Sequence, residues 1–164
     1  MERRGARELR RAGLLHDVGK IGVPDAILLK PGPLTPAETL RVRDHAALGA
    51  EIVAELLPAG HVAWVRHHHE RWDGAGYPDG VAGDAIPEGA RLIAVADAWD
   101  VMTSDRPYRA ALGHEAARAE IARLTGTQFC PDSVSALEAV LADGGPDLAT
   151  PEPSPAARLG ALHL

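Results

Sequence analysis

Aromatic side chains make up only 4% of this chain of 164 residues. That scarcity argues against a β-sandwich, whose strands draw on aromatic and β-branched residues. The apolar content is carried instead by Ala, Leu and Val, which favours helices. Cysteine is nearly absent too, and Cys130 alone excludes an internal disulfide. There is no excess of positive charge. The formal net charge is -6, so the basic footprint of a nucleic-acid polymer binder is missing. A small anionic ligand needs only a local cluster of cations or a metal. No apolar run approaches the roughly 20 residues of a membrane span. No apolar stretch follows Glu2-Arg3-Arg4-Gly5, so no secretory signal is visible. These absences set a cytoplasmic domain with no membrane segment as the expectation. The length suits one domain, able to bury roughly 70% of its unfolded surface.

Periodicity predicts a helix over 6–18, with Leu9, Ala12, Leu15 and Val18 on one face. A short helical turn follows Val23-Pro24-Asp25, and Lys30-Pro31-Gly32-Pro33 reads as a loop. Thr35-Pro36-Ala37-Glu38 is a capping box with Thr at N-cap, Pro at N1 and Glu at N3. The helix it opens is expected to run to about Leu57, before Pro58. Further helices are predicted over 60–71, 87–102, 114–124 and 131–142, the last with Pro131 at N1. Asp73 to Gly80 reads as an ordered loop. No strand and no internal repeat is predicted. Four prolines fall between 146 and 155, so 144–164 reads as a flexible tail or linker beyond a domain over 6–143.

The histidines are not scattered. His16-Asp17, His45, His68-His69 and Asp97 place imidazole and carboxylate in a suggestive order, and these are ligands for Fe, Mn or Zn. On the helix from Pro36, His45 is in register with the apolar Ile52 and Leu56. Asp97 shares a stripe with Ala90, Ile93 and Val101. An ionised carboxylate on a buried stripe is costly unless paired or bound to metal. Each residue alone has an ordinary explanation: a hydrogen-bonded core histidine, an arginine-paired aspartate, a helix-end dipeptide, a solvated turn. All four explanations would have to hold at once. Competing motifs fail. His69-Glu70-Arg71-Trp72-Asp73 lacks the second His of a HExxH protease, and Gly74-Ala75-Gly76 misses GxGxxG and follows a helix. No Walker sequence, nucleophile elbow or CxxC is present.

Leu15-His16-Asp17-Val18-Gly19-Lys20-Ile21-Gly22-Val23-Pro24-Asp25 resembles the HD signature of HD-GYP domains. His68-His69-Glu70-Arg71-Trp72-Asp73-Gly74-Ala75-Gly76-Tyr77-Pro78-Asp79-Gly80 resembles the segment that names the GYP part. Ala90-Arg91 through Asp97, then Asp100 to Arg109, and finally Gly126-Thr127-Gln128-Phe129 resemble its later blocks, in the right order. The resemblance implies an all-α, HD-domain-like helical bundle. It implies metal-dependent hydrolysis of cyclic di-GMP to linear pGpG, and in some members onward to GMP, in bacterial second-messenger signalling. Its cofactors would be two divalent ions, chiefly Fe or Mn, with Zn, Ni or Mg as alternatives. Asp17 would bridge them, His16 and Asp97 completing one site and His45, His68 and His69 the other. Two such ions can clamp both attacking and leaving oxygens of a phosphodiester. Asp17 and Lys20 would be the catalytic pair. Lys20, Tyr77, Arg106 and Arg109 would contact substrate, a local cationic rim on an acidic protein. Partners would be the cyclic dinucleotide, GGDEF-type or other signalling proteins, and a second copy in a homodimer.

The chain departs from that pattern twice. The family carries further helices before the His-Asp motif, and these supply another His or Glu ligand. Here fifteen residues precede His16, with only Glu2 and Glu8 as carboxylates. The His16/Asp97 half is therefore expected to be one ligand short and the bundle to lack its N-terminal helices, which reads as a truncated domain. On that account one alternative stays open, a catalytically impaired module that binds metal or dinucleotide and signals through protein contacts. A second, an HD phosphohydrolase acting on another nucleotide, stays open because the motifs do not fix the substrate. The second departure is Cys130, where the family carries Asp before Pro131. Cysteine caps a helix less well than aspartate, by about 1 kcal/mol.

Overall fold

Helix is the dominant structure over residues 3–105 and 110–144, which the computed structural model describes. The helices are α1 (Arg3–Leu15), α2 (Asp25–Leu28), α3 (Pro36–Arg43), α4 (His45–Val53), α5 (Ala59–Arg66), α6 (Glu88–Thr103), α7 (His114–Arg123) and α8 (Pro131–Ala142). Short 3-10 turns lie at Val18–Gly22 and Gly83–Ala85. Among the described residues the β-type pairing is one isolated bridge, Thr125 to Phe129. The expected all-α class holds. Arg106, Arg109 and the Pro-rich segment from residue 145 lie outside the described residues.

The local signals act as written. Thr35 Oγ1 accepts from the Glu38 amide, and the Glu38 carboxylate accepts from the Thr35 amide, so the capping box is complete. Three boundaries differ from expectation. The first helix stops at Leu15, and a 3-10 turn takes over at Val18. The helix from Pro36 breaks at Asp44 and ends at Val53, where Ala54 and Leu56 donate to carbonyls three residues back and tighten the chain. Helix α5 ends at Arg66, because His67 leaves helical geometry at φ -104, ψ 13.

The phase expected for α4 also needs correction. Ile52 and Leu56 are exposed at 38% and 61%. The buried face runs through His45, Ala46, Gly49, Ala50 and Val53. Small residues occupy it because α4 packs closely against the 3-10 turn Val18–Gly22, backbone on backbone at Gly19 and Gly49. The bulky side chains that suggest a core-facing stripe are on the outside.

Two cores meet along α6. Ile93 joins Ala12, Val53, Leu57 and Val65, with Leu9, Leu15 and Val18 packed against them. Two residues further on, Val95, Ala98, Trp99 and Met102 join Ala117, Ile121, Phe129 and Val134. Each buried Val, Leu, Ile, Phe or Met side chain among them contributes about 1.5–3 kcal/mol. Asp97 lies on α6 among residues serving both cores, so the framework that holds its backbone is rigid.

Helix α8 starts at Cys130 with no side-chain cap, and Pro131 is at N1. The Arg91 guanidinium lies 3.6 Å from the Cys130 sulfur. An aspartate there would accept from the first-turn amides and pair with Arg91. Cys130→Asp is expected to raise stability by about 1 kcal/mol. Urea unfolding checks this, and a midpoint at or below that of the parent chain would contradict it.

Candidate metal centre

The site is assembled where four segments approach each other. The end of α1 and the turn after it bring His16, Asp17 and Lys20; the first residue of α4 is His45; the turn after α5 carries His68 and His69; α6 brings Asp97. His45 and His68 are each 1% exposed. The ligand atoms of Asp17, His45, His68 and His69 all lie within 4.8 Å of one another. His16 and Asp97 adjoin this group: His16 Nε2 is 3.5 Å from Asp17 Oδ2 and 3.7 Å from Asp97 Oδ1. All six sequence-selected residues are thus brought together, with Asp17 between the two subsets.

Local structure decides which ring nitrogen faces inward. His16 Nδ1 lies 2.6 Å from the Gly13 carbonyl oxygen, His45 Nδ1 2.6 Å from that of Val42, and His68 Nδ1 2.6 Å from that of Val65. A carbonyl only accepts, so each Nδ1 carries a proton, and the neutral rings of His45 and His68 offer Nε2 lone pairs. His45 Nε2 and His68 Nε2 then face each other at 3.4 Å, and Asp17 Oδ1 is 3.3 Å from His45 Nε2. Asp17 Oδ1 is itself buried without a hydrogen-bond partner. Lone pairs and a carboxylate oxygen converging in a buried space repel one another unless a cation lies among them. The residues present fit a divalent transition-metal ion, with nitrogen donors, one carboxylate and a main-chain partner fixing each of these rings.

Ionisation follows the same logic. Burial alone would raise the Asp17 carboxyl, but the charges of His16 and Lys20 and the Lys20 hydrogen bond outweigh it and hold it well below the usual range. Lys20 Nζ donates to Asp17 Oδ2 at 2.7 Å. Burial pushes His68 down to about 3, aided by the charge of His16. His69 also falls well below its ordinary value, first through burial and then through His68 and His45. His16 goes the other way. Burial would lower it, yet Asp97 and Asp17 raise it to about 9. His16 Nε2 stands between two carboxylates, a place that a proton or a metal cation would serve.

A second group, His67, Glu70 and Asp79, has metal-type atoms equally close together. It differs in chemistry. Arg66 already forms two hydrogen bonds with the Asp79 carboxylate, at 2.7 and 2.8 Å, and His67 Nε2 lies 2.9 Å from it. A protein cation fills the role, so this group is a surface ion-pair knot that ties the Asp73–Gly80 loop to α5.

That loop covers the site. Tyr77 is stacked on His69 with ring centroids 4.8 Å apart. Arg43 lies over the Tyr77 ring at 5.0 Å from its centroid. Trp72 and Asp73 donate backbone hydrogen bonds to Gln128 and Thr127, which is how the Gly126–Phe129 block supports the loop. Glu70 and Arg43 were not singled out from sequence as part of this arrangement. Glu70 sits inside the His68-His69-Glu70 string, but only its buried position reveals a structural partner. Of the three tryptophans, Trp99 is in the core, Trp64 packs on Gly89 and Trp72 lies under Arg91, so all three pack.

A helical bundle with a buried His/Asp cluster able to hold a metal ion defines the class of protein. A profile of the HD domain matches residues 1–132, and the chain belongs to the HD domain family. A Vibrio cholerae protein described as a probable cyclic di-GMP phosphodiesterase is 44% identical over 135 residues, covering 77% of this chain and 31% of that one. A Vibrio cholerae 3'3'-cGAMP-specific phosphodiesterase is 45% identical over 134 residues, covering 81% of this chain and 29% of that one. The crystal structure of a cyclic GMP-AMP-specific phosphodiesterase from V. cholerae aligns with TM-score 0.62 at 19% identity, over 87% of this chain and 40% of that one, which supports the fold. The chain spans about a third of the length of the curated relatives it matches. No helix among the described residues is long and apolar enough to cross a membrane.

Proposed function

We propose that this domain hydrolyses the phosphodiester bonds of cyclic di-GMP, giving pGpG, GMP or both, with two divalent ions held by its His/Asp cluster. The observation that carries the reading is the convergence of the His45 and His68 Nε2 atoms with His69 on the unpartnered Asp17 oxygen. Similarity to several proteins named as cyclic di-GMP phosphodiesterases, at 41–50% identity, supports the substrate. In this reading His45, His68, His69 and Asp17 hold one ion, and His16, Asp97 and Asp17 hold the other. Bound ions would supply Lewis-acid polarisation of the phosphodiester and hydroxide near neutrality.

The chain's own groups do the rest. Asp17 presents one oxygen to each half of the site. Lys20 keeps Asp17 ionised and oriented, and its ammonium is the nearest lysine or arginine cation among the described residues for a phosphate oxygen. His16 gives up its proton before it can bind metal. Arg106 and Arg109 add cationic contacts to substrate, and Tyr77 shapes the wall beside His69. Iron or manganese, a cytoplasmic setting, a tail or linker over 144–164, and GGDEF-type or other signalling partners belong to the same reading.

The test is anaerobic purification, metal analysis and chromatography of products from cyclic di-GMP. Iron- or manganese-loaded protein is expected to release pGpG or GMP, and a chelator is expected to stop it. Failure of the metal-loaded protein to form either product would refute the proposal. A second substrate is favoured by one observation: the relative specific for 3'3'-cGAMP is as similar as those acting on cyclic di-GMP. Both dinucleotides therefore belong in the same assay.

A further inference from the structure

Three of the four clustered histidines owe their orientation to a main-chain carbonyl, and His69 does not. The Nδ1 bonds of His16, His45 and His68 go to Gly13, Val42 and Val65. The His69 ring is bounded instead by other rings: His68 at 4.0 Å, His45 at 5.0 Å and Tyr77 at 4.8 Å between centroids. Of these, Tyr77 is the one stacked on it, the planes 24° apart. Tyr77 is in turn fixed from several sides. Its amide donates to the His69 carbonyl at 3.3 Å. Glu70 Oε1 accepts from the amides of Asp79 and Gly80 at 2.7 and 3.0 Å, from a side chain 4% exposed. The loop presses so closely on this anchor that a Cβ at Gly76 would collide with the Arg71 nitrogen and lie 2.5 Å from Glu70 Cα. Arg43 engages the Tyr77 ring as a cation over its π face.

We propose that the Glu70-anchored loop Asp73–Gly80 is a clamp that sets the plane of the His69 imidazole through Tyr77, making Tyr77 and Glu70 positioning residues for the metal centre. The inference rests on the metal-site reading above. The stacked ring does for His69 what a carbonyl does for the other three. With its π system already engaged by His69 and Arg43, Tyr77 acts through a ligand rather than as a platform for a substrate base. The phenol oxygen plays no part in this, so a phenyl ring serves equally well. Likewise Gln at 70 keeps an oxygen able to accept both loop amides.

The experiment compares Tyr77→Phe, Tyr77→Leu, Glu70→Gln and Glu70→Ala by two measurements. The first is manganese affinity of the metal-free protein by calorimetry. Removal of an orienting partner typically weakens metal binding about 10–100-fold, and that is the loss expected for Tyr77→Leu and Glu70→Ala. Tyr77→Phe and Glu70→Gln should stay within about three-fold of the parent, since each retains the interaction its position supplies. The second is carbon-13 relaxation of the His69 ring in the metal-free protein. That ring should be rigid in the parent, Phe and Gln forms and mobile in the Leu and Ala forms, while the His68 ring stays rigid throughout. If Tyr77→Leu does not fold, Tyr77→Met, which keeps most of the volume without a ring, takes its place. A Leu or Met variant with parental affinity and a rigid His69 ring overturns the clamp. If the parent itself takes up neither manganese nor iron, the proposed function fails, and ring mobility alone still decides the clamp.

Discussion

Asp17→Asn is expected to abolish turnover and metal uptake while leaving the helices in place. Asparagine matches aspartate in shape, so packing against the 3-10 turn Val18–Gly22 is unchanged. What goes is the charge. Asp17 is the carboxylate that faces His45 at 3.3 Å, His16 at 3.5 Å and Lys20 at 2.7 Å. Without it the His45/His68/His69 subset has no anion, and the His16/Asp97 subset loses its shared ligand. An amide oxygen is a poor substitute for a ligand shared between two ions. Loss of at least about 1,000-fold in rate corresponds to about 4 kcal/mol of lost transition-state stabilisation. Metal content by mass spectrometry and product chromatography would read the two effects. A variant retaining a tenth of the parental rate would show that Asp17 is not shared between ions. His69→Ala should follow the same course, since it removes one nitrogen ligand without touching Asp17.

Gly19→Ala is expected to be the most destabilising small substitution in the described residues of the first half of the chain. The reason is proximity. A Cβ at Gly19 would collide with the His45 carbonyl oxygen and lie 2.5 Å from the Gly49 nitrogen. Both neighbours are backbone of α4, so no side chain can swing aside. Overpacking a core costs about 1–3 kcal/mol even where side chains can adjust, and a backbone clash should reach the upper end or beyond. Relief requires α4 to move away from the turn, and His45 moves with it. The variant should therefore lose thermal stability and metal affinity together. Gly13→Ala, at a position where an added Cβ meets nothing within 4 Å, is the control and should do neither. Equal midpoints for the two variants would contradict the argument.

These two sites also show how far sequence reasoning reaches. The candidate ligand residues are legible because their chemistry is expensive to bury without a purpose: Asp97 on an apolar stripe of α6, His45 on the buried face of α4. The capping box at Thr35 and the proline at the start of α8 were legible because they are local. The break at Asp44 was not, since Asp44 keeps right-handed helical angles, φ -59 and ψ -20, and no proline or glycine marks it. The facing of α4 was misjudged because bulky Ile52 and Leu56 weigh more in a hydrophobic pattern than Ala46, Gly49 and Ala50. Close approach of two backbones leaves only an absence of side chains in the sequence, and glycine is read more readily as a turn. The role of Glu70 was hidden for another reason. Its partners are the amides of Asp79 and Gly80, which every residue but proline possesses, so no pairing of residue types announces them.

The main-chain partners of His16, His45 and His68 have a bearing on how such a site withstands genetic drift. Each ring proton is held by a carbonyl three residues earlier, and carbonyls are present whatever the side chain. No codon change at Gly13, Val42 or Val65 can delete the acceptor, whereas an acceptor supplied by an aspartate could vanish in one step. Three of the four clustered imidazoles are thus buffered against mutation around them. His69 depends on the identity of a side chain at 77, and variation that reaches the centre from outside its own ligands would enter there.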